Sequence, residues 1–146
     1  MGLFDFFVLN KNEKLIKRWK GEHHALAQCS IIVQDLHKQG HTAKAKKKLQ
    51  KMYNLTMKHV QDEDNTFSKM KKNARKTDQH IVDEIDNFQH TFIDVKKALI
   101  TFLLTYIDED ILLDKKFEDD LENIQHALSD RIKWEERNLY ALLDEK

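Results

Sequence analysis

Four long stretches of this chain carry apolar residues at alternating spacings of three and four, and no proline interrupts them. This spacing places the apolar side chains of each stretch on one face of an α-helix. With only 3 glycines and no proline, the sequence lacks the turn residues that strands and hairpins usually need. A chain of 146 residues is long enough to form one domain with a real buried core. The sequence therefore predicts an all-α fold.

The breaks between the predicted helices are short. Since short connections make consecutive helices antiparallel, we expect an up-down-up-down four-helix bundle. The first helix should run from Asn12 to Lys38 and stop at Gly40, a residue that favours helix C-termini. The second helix should begin near Thr42 and end within residues 69–76. The third should be capped by Thr77 or Asp78 and end at residues 108–110, and the fourth should begin at Leu113 or Asp114.

A short apolar N-terminal arm, residues 1–11, precedes the bundle of residues 12–146. Its residues 2–8 are too few and too acidic for a secretory signal. Phe6 stands where a myristoylation signal needs serine or threonine. We expect the arm to pack across the bundle as a lid, with docking to a membrane or a partner as the alternative.

Composition argues against several classes of function. The chain has 25 basic and 25 acidic residues, whereas a dedicated nucleic-acid binder usually has a basic excess. No run of about 20 apolar residues predicts a membrane span. A single cysteine, Cys29, fits a reducing, cytoplasmic setting. The sequence has no catalytic triad pattern, phosphate loop or paired Cys-x-x-Cys, so we expect no enzyme.

Five polar side chains continue the apolar stripes and should therefore point into the core. Burying such groups costs several kcal/mol, to an order of magnitude, unless they are paired or bound to a metal. If the first helix were rotated, His24 would point inward in place of His23. The five inward residues are His23, His59, Glu63, Arg131 and Glu135.

These five residues are expected to meet in one layer of the bundle. His23 and His59 lie at nearly equal distances from Gly40 along the sequence, and Glu63 follows His59 by one turn. Metal sites in bundle cores are built from facing helices with Glu and His one turn apart. Two interpretations stay open: a metal centre, or a hydrogen-bonded polar core in which Arg131 neutralises a carboxylate.

Three segments, residues 18–23, 59–64 and 132–140, resemble the hemerythrin-like (HHE cation-binding) family in their residue types, in their order along the chain and in the distances between them. The resemblance implies a four-helix bundle with an oxo-bridged di-iron centre that binds dioxygen. It also implies metal-ligand roles for His23, His59, Glu63 and Glu135.

The chain departs from that family in its third and fourth helices. Arg131, which cannot bind a metal, stands where the fourth helix of the family has a histidine, and Phe88 and Phe92 fill the layer in helix three. We therefore expect at most four protein ligands, holding one iron, manganese or zinc ion or a depleted pair. The expected role is oxygen, iron or redox sensing or storage.

A second resemblance gives an alternative function. Residues 14–19 and 129–136 are similar to the anti-sigma regulators of sigma D, which are also helical bundles. This resemblance implies a metal-free regulatory module that binds a protein partner on an outer face, with Arg131 and Glu135 as a buried ion pair.

Overall fold

The computed structural model describes the backbone of residues 3–74 and 78–140, and the side chains of residues 13–74, 78–138 and Tyr140. This part of the chain is helical throughout apart from short turns, and it contains no strand. Each helix packs on the next one in sequence, and the fourth also contacts the first, so the predicted all-α four-helix bundle is confirmed. The helices are α1 (Leu3–Lys38), α2 (Thr42–Ala74), α3 (Gln79–Ile107) and α4 (Lys115–Trp134), which continues into a π-helical segment (Glu135–Leu139).

Aspartate side chains cap two of the helices where the sequence predicts a start. Asp78 accepts a hydrogen bond of 3.0 Å from the backbone N–H of His80. Asp114 accepts one of 3.1 Å from the backbone N–H of Phe117. Each bond satisfies an N–H group that has no partner within the helix.

The first helix starts earlier than the sequence predicts. The backbone of α1 is already helical at Leu3, ahead of the expected start near Asn12. The proposed lid contact of residues 1–11 depends on side chains outside the described residues.

A glycine terminates α1 as predicted. Gly40 has a φ of 78°, and its N–H donates to the carbonyl of His37 at 3.0 Å. The N–H of His41 donates to the carbonyl of Leu36 at 2.9 Å. These two bonds form a Schellman motif, which turns the chain directly into α2.

The apolar core is divided into two clusters by the polar layer. One cluster lies toward the Gly40 turn and includes Leu26, Met52 and Leu128. The other lies toward the opposite end and includes Trp19 and Phe67. On α1 and α2, the inward histidines and glutamate come between these two sets of residues in sequence. The bundle therefore holds its polar layer between two apolar clusters.

The two glycines in the helical region should respond oppositely to alanine. Gly21 is exposed inside α1, and an added Cβ would meet nothing within 4 Å, so G21A should stabilise the protein by about 0.5–1 kcal/mol. At Gly40 the positive φ makes any Cβ unfavourable, so G40A should destabilise it by about 1–2 kcal/mol. Urea unfolding of both variants measures the two changes, and shifts of the same sign would contradict this account.

Candidate metal centre

The five predicted inward side chains are all buried. The exposed fraction is 4% for His23 and His59, 1% for Glu63, 2% for Glu135 and 7% for Arg131. His24 is exposed, so the rotation of α1 selects the other histidine. Three helices, α1, α2 and the end of α4, therefore supply one buried layer of imidazole, carboxylate and guanidinium groups.

Imidazole and carboxylate atoms converge at the centre of this layer. The Nε2 atom of His23 lies 3.3 Å from Oε1 of Glu135, and Nε2 of His59 lies 4.0 Å from the same oxygen. On α2, Nε2 of His59 lies 3.4 Å from Oε1 of Glu63. His23, His59 and Glu135 each offer a ligand atom within 4.8 Å of the others, a spacing that could hold a metal ion.

The converging atoms have no hydrogen-bond partners within the described structure. Native proteins leave few buried polar atoms unpaired, and each one costs about 1–3 kcal/mol, more if it is charged. The unpaired atoms at the centre of the layer are His23 Nε2, His59 Nε2, both carboxylate oxygens of Glu63 and Glu135 Oε1.

The outer nitrogen of each histidine does have a partner. Nδ1 of His59 is hydrogen-bonded to the Glu22 carboxylate, which can only accept. Nδ1 of His23 shares a hydrogen bond of 3.3 Å with the Tyr140 hydroxyl, and a Glu136 carboxylate oxygen lies 3.8 Å away. These contacts orient both rings with Nε2 toward the centre.

Sequence reasoning did not identify these outer partners. Two sequence signals could have identified the glutamates: Glu22 and Glu136 are each adjacent to a predicted ligand, and each is spaced by three or four residues from apolar positions. For Tyr140, no sequence signal indicated a polar role.

The π-helical segment explains how Tyr140 reaches His23. The N–H of Tyr140 donates to the carbonyl of Glu135, five residues earlier, instead of four. The extra residue moves the inward position after Glu135 to Tyr140, which is 3% exposed. An uninterrupted α-helical spacing from Glu135 would place Leu139 at this inward position.

Arg131 lies at the edge of the layer, toward α3. Its Nε atom is 3.6 Å from Oε2 of Glu135. Its guanidinium group stacks over the rings of Phe88 and Phe92, with its carbon 3.9 Å and 4.2 Å from their centroids. As the sequence indicated, α3 brings phenylalanine and no metal ligand to this layer.

The electrostatics of the layer follow from burial and from the close carboxylates. Burial lowers the pKa of His59, but Glu135, Glu63 and Glu22 more than offset this effect and raise it to about 11. Burial raises the pKa of Glu63 to about 8, and the nearby Glu135 carboxylate adds to that rise. Burial also opposes ionisation of Glu135, but its contacts with both histidines hold the pKa of that carboxyl below its ordinary range.

The remaining histidines lie away from the layer. His41, His80, His90 and His126 are exposed, as predicted. His37 is only half-exposed, because it packs against Phe117 and its Nε2 is 2.9 Å from a Glu118 oxygen.

Comparisons with protein families, with curated proteins and with solved structures gave no match to this chain. No helix in the described part of the chain combines the length and apolar character that a membrane crossing requires.

The contribution of the polar layer to the stability of the metal-free protein should fall as the pH rises from 4.5, the ordinary pKa of Glu63, to about 11, the raised pKa of His59. The pKa of His59 in the folded state lies above its ordinary 6.5, so its stabilising contribution is complete below that value and declines at higher pH. Glu63 acts in the same direction, because its pKa is raised from 4.5 to about 8.

Chemical denaturation in the presence of a chelator, at several pH values, tests this dependence. A double variant, H59Q/E63Q, keeps a polar side chain at both positions but removes both titrations. Its free energy of unfolding should vary much less over the same pH range. Equal slopes for the two proteins would show that the polar layer does not control the pH dependence.

Proposed function

We propose that this bundle is a metal-binding protein whose ligands are His23, His59, Glu63 and Glu135. The observation that carries the proposal is the set of buried nitrogen and oxygen atoms without hydrogen-bond partners in the described structure: those of His23, His59 and Glu135 lie within 4.8 Å of one another, and Glu63 lies beside His59. A bound cation would accept lone pairs from all four side chains and remove the cost of leaving them unpaired. Nitrogen and carboxylate donors suit iron, manganese and zinc, and iron is our first candidate.

The distances within the layer support metal ligation over direct hydrogen bonding. Metal–ligand bonds of about 2.1 Å in a tetrahedral site separate the ligand atoms by roughly 3.4 Å. Two of the separations, 3.3 Å from His23 to Glu135 and 3.4 Å from His59 to Glu63, fall close to this value. Hydrogen bonds between nitrogen and a carboxylate are typically shorter, about 2.7–2.9 Å.

The outer partners of the histidines support the same proposal. Metal-binding histidines generally donate their second N–H to a carboxylate, a carbonyl or water, which fixes the ring and makes it a better ligand. Glu22 is in this position for His59, and the Tyr140 hydroxyl contacts the corresponding nitrogen of His23.

The proposed role is sensing or storage of oxygen, iron or redox state, as the hemerythrin-like resemblance implies. Catalytic turnover would need an open coordination position together with a positioned acid or base. Beyond the four ligands, the sequence singles out no residue as such an acid or base, so we propose a cytoplasmic binding protein rather than an enzyme.

The alternative is the metal-free regulatory module with a protein partner. The 3.6 Å contact between Arg131 Nε and Glu135 Oε2 favours it, because this contact neutralises one buried carboxylate without a metal. The ion pair leaves both histidine Nε2 atoms and both oxygens of Glu63 unpaired. The metal-binding proposal accounts for these atoms, so we prefer it.

Removal of a central ligand should abolish metal binding. We expect H59A to lower the affinity for iron or zinc by about 100-fold or more, since even outer-partner changes cost 10–100-fold. Elemental analysis after metal loading measures the content, and far-ultraviolet circular dichroism checks that the helices remain. H126A, at an exposed histidine, is the matched control and should bind like the wild type. Full metal retention in H59A would refute the ligand assignment.

Removal of an outer partner should weaken binding without changing the number of ions. E22Q loses the charged acceptor of His59, and Y140F loses the hydroxyl near His23, so each should reduce affinity by about 10–100-fold. Competition with a metallochromic indicator measures the change. E122Q, at an exposed glutamate of α4, is the control. Affinities equal to that of the control would remove Glu22 and Tyr140 from the site.

A further inference from the structure

Arg131 is surrounded by aromatic rings and hydrogen-bond acceptors, and of its three nitrogens only Nε has no hydrogen-bond partner among the described residues. Its guanidinium carbon lies 3.9 Å and 4.2 Å from the ring centroids of Phe88 and Phe92, and 4.9 Å from that of Trp134. Two of its terminal nitrogens donate to the Phe88 carbonyl at 3.3 Å and to the Thr91 hydroxyl at 3.4 Å. Cation–π contacts and these hydrogen bonds hold the positive charge at one place beside the layer.

Glu135 divides its two oxygens between opposite sides. Oε1 faces the histidines, with His23 Nε2 at 3.3 Å, and Oε2 faces Arg131 Nε at 3.6 Å. Arg131 precedes Glu135 by four residues on α4, as His59 precedes Glu63 on α2. One oxygen of Glu135 is therefore directed at the proposed metal, and the other at a cation that the chain itself provides.

We infer that Arg131 acts as a fixed second cation of the layer and limits the site to a single divalent metal ion. This inference rests on the proposed metal-binding function and specifies the number of ions. Arg131 is a positioning residue, because it acts on the metal through Glu135.

The charge balance supports one ion. With the carboxylates ionised, Glu22, Glu63 and Glu135 together with Arg131 carry two negative charges, which one divalent ion neutralises. A second divalent ion would leave two positive charges in a layer that is closed on both sides by apolar clusters. Uncompensated charge in such surroundings is strongly unfavourable. The atom that lies beside Glu135 Oε2 is Nε of Arg131, at 3.6 Å, and this cation would repel a second metal ion there.

Titration of the metal-free protein with Co(II), followed by visible absorption and by elemental analysis, tests the inference. The wild type should bind one ion per chain. R131L removes the charge and frees Oε2 of Glu135, so it should bind Co(II) more tightly, by about tenfold or more. R131K keeps a cation but loses the planar stacking, and its affinity should stay within about threefold of the wild type.

A variant with a smaller change in polarity covers the case in which R131L does not fold. R131H removes the permanent positive charge and offers a further nitrogen ligand, so it too should bind Co(II) more tightly than the wild type. Two ions per wild-type chain, or neutral variants that bind no more tightly than R131K, would overturn the inference. Failure of the wild type to bind any ion would instead refute the proposed function itself.

Discussion

The structure depends on one energetically unfavourable feature, the burial of five ionisable side chains in a single layer of the bundle. Each ionised group removed from water costs several kcal/mol unless a partner compensates it. The apolar clusters on both sides keep water away from the layer, so His23, His59 and the two glutamates must balance one another or take up a cation. In the metal-free state, the raised pKa values of His59 and Glu63 reflect the cost of burying these carboxylates and imidazoles together without a cation.

The surrounding architecture restricts how this layer can rearrange. Asp78 and Asp114 cap their helices, and the Gly40 turn joins α1 to α2. Lys46 on α2 donates to the carbonyl groups of Tyr106 and Ile111, at 3.1 Å and 2.6 Å, so it ties α2 to the connection after α3. Because the helix ends are fixed in this way, the inward side chains keep their positions along the bundle axis.

The proposed function therefore rests on geometry more than on ancestry. The hemerythrin-like resemblance implies the four ligands, and the fold brings their side chains into one layer. The same resemblance implies a two-metal centre, whereas Arg131 and the phenylalanines of α3 bring no metal ligand to this layer. We therefore propose a single ion with a guanidinium as its permanent neighbour.

The sequence by itself determined the helices, their caps and the inward set of polar residues. These features depend on local rules: the spacing of apolar residues selects a helix face, and aspartate or glycine marks its ends. Only the tertiary structure decided which atoms meet. The contact of Glu22 with His59, the shift of Tyr140 by the π-helical segment and the stacking of Arg131 depend on how neighbouring helices are rotated and staggered. A difference of one ångström in those parameters exchanges one partner for another, and residue spacing along a single helix carries no information about it.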